Sequence, residues 1–72
     1  NETISTNETT VRAEGAYLHL HTSHLETVFI YTFNGTLLHK YDNLSGDKSL
    51  WLPQGNYIVI AGNKSFKIQI QK

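Results

Sequence analysis

The stretch LPQGNYIVIAGNKSFKIQIQK, residues 52–72, decides the reading of the fold. Pro53 and Gly55 make a tight turn, and Pro53 bars continuation into a central strand. Two runs follow, residues 57–61 and 64–71, hinged on Gly62-Asn63, a pair suited to a short hairpin loop. In the second run Phe66, Ile68 and Ile70 share one face, while Lys67, Gln69 and Gln71 share the other. Strict alternation of this kind marks a strand with one face in a core and one in water. The apolar set is expected beside Val28, Ile30, Leu50 and Leu52, with Tyr57 packed near the Pro53–Gly55 turn and bonding backbone through its hydroxyl.

The same period of two runs back through the chain. Residues 25–33 are the most apolar, with Val28 and Ile30 facing one way and Phe29 and Tyr31 the other, the pattern of a central strand. Asn34-Gly35 predicts a two-residue type I′ turn, which needs positive φ at both positions, leading into residues 36–41. Residues 42–47, DNLSGD, read as a turn, and residues 48–52 as a short strand with Leu50 and Leu52 inward and Trp51 outward. Upstream, residues 16–21 place Ala16, Leu18 and Leu20 opposite Tyr17, His19 and His21, and Thr22-Ser23-His24 reads as a turn. Residues 9–13 make a first strand that ends at Glu14-Gly15. Residues 1–8 are a polar leader and residues 9–72 a single domain. No segment carries a sustained period of 3.6. About seven short strands between turns predict an all-β fold, a small antiparallel β-sandwich, with a small open barrel as the alternative.

Composition narrows function. At 72 residues a core and a deep catalytic cleft compete for the same few side chains, so no enzyme is expected. The chain has no cysteine, which removes disulfides, thiolate metal sites and cysteine nucleophiles. Six basic and six acidic residues cancel, leaving no basic stripe for nucleic acid. The charge is nevertheless polarised. Glu2, Glu8, Glu14 and Glu26 against Arg12 give −3 over residues 1–26, and five lysines against Asp42 and Asp47 give +3 over residues 27–72. No apolar run approaches the ~18 residues of a transmembrane helix. No signal peptide precedes Asn1, so parent domains N-terminal to it are expected.

Three groups of side chains are candidate sites. His19 and His21, two apart on a strand, point the same way and would need a third ligand such as His24 or Glu26 to hold a metal; no cofactor is expected. Ser23 beside His24 is adjacency rather than a catalytic arrangement. Phe29, Tyr31, Tyr41 and Trp51 are candidate outward aromatics, a face for glycans or for a neighbouring domain. Asn-x-Ser/Thr triplets begin at Asn1, Asn7, Asn34, Asn43 and Asn63, and they read as turn chemistry rather than glycosylation sites.

Residues 28–72 resemble the C-terminal sorting domains of type IX secretion cargo in Bacteroidetes. The likeness rests on the apolar strand with Ile30-Tyr31, the turn Asn34-Gly35, the element Leu52-Pro53-Gln54-Gly55-Asn56-Tyr57, and the basic alternating strand from Lys64 to Lys72. The Tyr-Pro-Asn-Pro-like opening of many members has no counterpart in this chain. The resemblance implies an immunoglobulin-like sandwich that serves a larger secreted or surface-anchored protein as a non-catalytic address. Its partners would be the outer-membrane translocon and a sortase-like processing protease, and its route would run through periplasm and outer membrane to the cell surface. A terminal edge strand suits that role. Its backbone can pair with a receptor strand while Lys64, Lys67, Gln69, Gln71 and Lys72 give side-chain identity. The rival expectation is an accessory glycan-binding or adhesive module that uses the outward aromatic face.

Overall fold

A computed structural model describes residues 9–71 of the chain. It is all-β and antiparallel. The strands are β1 (Thr9–Glu14), β2 (Tyr17–Thr32), β3 (Leu37–Trp51), β4 (Gly55–Ala61) and β5 (Lys64–Ile70). No helix long and apolar enough to cross a membrane occurs among the described residues.

Five strands stand where seven were expected, because two of the expected turns do not break the chain. Thr22-Ser23-His24 lies inside the 16-residue β2, and residues 42–47 lie inside the 15-residue β3. Their turn-forming residues are spent on bulges. Between the pairs Thr22↔Gly46 and Glu26↔Leu44, residues 23–25 of β2 oppose Ser45 alone, and between Glu26↔Leu44 and Val28↔Tyr41 the surplus passes to β3. The left-handed backbone these irregularities demand falls on Asn43 (φ 56°) and Gly46 (φ 82°). Buried Thr22 fastens the region by donating its hydroxyl to the Leu44 carbonyl at 3.0 Å.

The bulged β2–β3 ribbon divides the sheet into two halves. Its first half pairs with β1, from Thr9↔Thr22 to Glu14↔Tyr17. Its second half pairs with β4, from Val28↔Ala61 to Thr32↔Tyr57, and β4 pairs with β5. Bulges and right-handed twist curl the sheet until both halves share one core. Leu18 and Leu20 from the first half, Leu52 from the segment after β3, and Val28, Ile30, Tyr57, Val59, Ala61 and Ile70 from the second form a single buried cluster. Leu50, Phe66 and Ile68 pack against it without being fully buried. The expected placement of Phe66, Ile68, Ile70, Val28, Ile30, Leu50 and Leu52 on the core side therefore holds, with only Ile70 of the β5 trio buried outright.

Two connections show how sequence sets turn geometry. Asn34-Gly35 does not make the two-residue type I′ loop, since Asn34 lacks positive φ. Thr32 and Thr36 pair instead, with the Thr32 N–H donating to the Thr36 carbonyl at 2.8 Å and the Gly35 N–H to the Thr32 carbonyl at 2.9 Å. This is a three-residue loop, a turn through Phe33 and Asn34 closed by Gly35 at φ 96°. The Thr32 side chain caps it, accepting the Thr36 N–H at 3.1 Å and donating to Asn34 Oδ1. At the Leu-Pro-x-Gly-x-Tyr element, buried Tyr57 donates its hydroxyl to the Pro53 carbonyl at 2.6 Å, as its spacing predicts.

Candidate functional site

The strand Phe66 to Ile70 turns its charged face outward. Lys64, Lys67, Gln69 and Gln71 are exposed; Lys72 lies outside the described residues. Among the described residues β5 ends the sheet, with β4 on one side and no hydrogen-bonded strand on the other. Beside it opens a recess of about 160 Å³ lined by Phe33, Asn56, Tyr57, Ile58, Lys67, Ile68 and Gln69. Phe33 reaches this recess because the three-residue loop carries it out of β2, where it stands 73% exposed. The expected two-residue turn would have kept Phe33 in the strand, so sequence alone gave no sign of it.

The four aromatics proposed as one outward face do not assemble. Phe29 and Tyr31 do stack, with ring centroids 6.3 Å apart. Their register partners include Lys40, Ile58 and Ile60, and Lys40 Nζ sits 5.8 Å from the Phe29 ring. Tyr41 belongs to the opposite face. It pairs with Val28, packs on the core, stacks with His39 at 5.8 Å and lies under Lys48 Nζ at 5.2 Å. Trp51 lies in the other half, opposite Tyr17. The reason is parity. Bulges at Glu26/Val28 and Ile30/Tyr31 each shift the β2–β3 register, so alternation counted along β3 loses phase with alternation along β2.

The outer face of the β1–β2–β3 half brings together His19 and His21 instead. Register puts Thr10, His21 and Asp47 in one cross-strand row, Arg12, His19 and Ser49 in the next, and Glu14, Tyr17 and Trp51 in the third. His21 Nδ1 is 2.7 Å from Asp47 Oδ1, His19 Nδ1 is 2.7 Å from Ser49 Oγ, and His19 Nε2 is 3.4 Å from Glu14 Oε1. Arg12 Nη1 pairs with Glu14 Oε1 at 3.0 Å. His19 and His21 thus share a face as their spacing requires, but His24 and Glu26 do not join them. Those two pair with each other at 2.7 Å, and Thr9 Oγ1 donates to Glu26 Oε1 at 3.5 Å. Among the described residues no three His, Asp or Glu side chains converge to hold an ion.

Ser49, His19 and Glu14 form a hydroxyl–imidazole–carboxylate chain that sequence reading missed, because Ser49 meets His19 only through the β2–β3 register. The chain lies on an open sheet face with Ser49 and Glu14 exposed. Nucleophilic catalysis needs, besides such a chain, donors aimed at the developing oxyanion. Glu26 is the other unforeseen feature. Its side chain is 14% exposed and lies over Gly62, where an added Cβ would run into Oε2 and come within 3.2 Å of Cδ. Asn34, Asn43 and Asn63 are exposed, and Asn34 and Asn43 occupy turn and bulge positions as their chemistry predicts; Asn1 and Asn7 lie outside the described residues.

Comparison with protein families, with curated proteins and with solved structures finds no match to this chain.

Proposed function

We propose that this domain is a non-catalytic recognition module, the sorting domain of a larger secreted or surface-anchored bacterial protein, addressed to an outer-membrane translocon and processed by a sortase-like protease. The observation that carries the proposal is β5. It is an edge strand that keeps Ile70 in the core while presenting Lys67 and Gln69 to solvent beside the apolar recess under Phe33. Strand addition takes its affinity from main-chain hydrogen bonds and its specificity from side-chain pockets. The recess over the outward face of β4 and β5 is the pocket in this reading, and the outer edge of β5, which β1 approaches, is the pairing edge. The pairing also supports an immunoglobulin-like reading, in which the three-stranded and four-stranded halves are the two layers of a sandwich and β2 and β3 each pass from one layer to the other through a bulge.

The test fuses the domain to a periplasmic reporter in a host with a type IX machine. The intact domain should carry the reporter to the cell surface. Lys67→Glu, Gln69→Glu and Lys72→Glu together should leave a folded reporter in the periplasm, because surface substitutions of this kind typically change stability by only about 0.5 kcal/mol each. Normal export of the folded triple variant would remove β5 as the surface that is read. Failure of the intact domain to direct export would remove the sorting function itself.

A further inference from the structure

Beyond any sorting role, we propose that the outer face of the β1–β2–β3 half is a binding site for a neutral saccharide, with Tyr17 and Trp51 as its stacking platform. The two aromatics are direct register partners, which places their Cβ atoms about 4.5–5.5 Å apart on one face. Tyr17 is 49% and Trp51 54% exposed, a large apolar area to leave in water on so small a domain. The backbone beneath them is fixed. The Leu52 N–H donates to the Ala16 carbonyl at 3.0 Å just beyond the pair, and the β1–β2 hairpin closes at Glu14↔Tyr17. Tyr17 also stacks on His19 with centroids 6.5 Å apart and the ring planes within 20° of parallel, so the platform extends toward the polar rows.

Those rows decide the ligand class. Arg12, His19, His21, Asp47 and Ser49 line an open groove of about 280 Å³ next to the platform. Its charged groups already have partners on the protein: Arg12 is ion-paired with Glu14 at 3.0 Å, and Asp47 is hydrogen-bonded to the His21 ring at 2.7 Å. An anionic polymer would have to break the Arg12–Glu14 pair and would meet two carboxylates, Glu14 and Asp47, against one guanidinium. A neutral sugar asks for what the groove provides. The apolar C–H face of a pyranose lies flat on an aromatic ring, and its hydroxyls both donate and accept, which suits imidazole, serine and carboxylate groups held at fixed spacing. The three-row grid is about two strand spacings wide, roughly 10 Å, room for one or two sugar units. The surface is shallow, so the affinity expected is in the millimolar range and rests on stacking.

Trp51 is the only tryptophan, so its fluorescence reports directly on the platform. The isolated chain is titrated with the neutral hexasaccharides of maltose, cellulose and chitin type, and with polygalacturonate and heparin as charged probes. At least one neutral hexasaccharide should give a saturable shift of Trp51 emission, and the charged polymers should not. Tyr17→Ala, which retains the reporter, should weaken that binding roughly tenfold or more, since about 1.4 kcal/mol of lost stacking is a factor of ten. Trp51→Ala, followed by isothermal titration, should abolish it. Circular dichroism establishes that both variants remain folded, and Lys40→Ala, in the other half of the sheet opposite Phe29, should bind as the parent does. No saturable response to any of the three neutral probes overturns the proposal. So does a response confined to the charged polymers, undiminished binding by folded Tyr17→Ala, or a Trp51 shift that follows protein concentration in the absence of sugar, which would make this face an interface between copies of the chain.

Discussion

Gly15 and Gly62 allow a backbone cost to be separated from a side-chain collision. Their φ angles are nearly equal, 59° and 62°, and each opens a two-residue hairpin, Glu14↔Tyr17 and Ala61↔Lys64. An added Cβ at Gly15 meets nothing within 4 Å, whereas at Gly62 it meets the Glu26 carboxylate. Gly15→Ala therefore measures the positive-φ penalty alone, about 1–2 kcal/mol, reduced by some tenths because alanine restricts the unfolded chain. Gly62→Ala bears the same penalty and must also push the Glu26 carboxylate aside, breaking its contacts with His24 and Thr9. Hydrogen bonds to charged groups contribute about 1.5–3 kcal/mol when buried. Glu26 can swing into water, so the lower end applies and the excess of Gly62→Ala over Gly15→Ala should be about 1–1.5 kcal/mol. A whole-domain stability of roughly 4–11 kcal/mol makes both effects easy to measure. At about 4–8 °C per kcal/mol, thermal melts followed by circular dichroism should separate the two variants by at least about 4 °C. Repeating both substitutions in a Glu26→Ala background should bring their costs together. Equal costs in the parent, or an excess that survives removal of Glu26, would refute the placement of this carboxylate over the turn.

Other substitutions test the core and the Pro53 turn. Tyr57→Phe should cost about 1 kcal/mol, read as a lower urea midpoint with unchanged slope, because the hydroxyl bond to Pro53 is lost while the exposed turn lets water take over the carbonyl. Ile70→Ala should cost about 2–5 kcal/mol, as fully buried aliphatic truncations do, and Phe66→Ala less than that despite the larger ring, since Phe66 is only half-buried. The reverse order in equilibrium denaturation would mean that β5 sits deeper at its start than at its end.

The extent of what was legible in the sequence follows from the range of each interaction. Period-two alternation is a local property, and it correctly gave an all-β fold, without helix among the described residues, and most of the inward-facing side chains. Leu18, Leu20, Val28, Ile30, Leu52 and Ile70 were all assigned to the core side, and all are buried. The Tyr57–Pro53 bond spans four residues, and the hairpin at Gly62 is equally local, so their chemistry could be read directly. The DNLSGD segment shows where local reading ends. Asn43 and Gly46 supply the same left-handed conformations to a turn or to a bulge, and only the availability of β2 as a partner on both sides of the irregularity selects the bulge. Strand count, the curl of the sheet and the phase of every β3 side chain follow from that choice. The sites inherit it. Tyr17 with Trp51, and His19 with Ser49, are separated by 34 and 30 residues and meet only because the register after the bulges sets them opposite one another. Composition and period determine which residues turn inward; pairing across the sheet, settled by long-range backbone hydrogen bonds, decides which outward residues become neighbours.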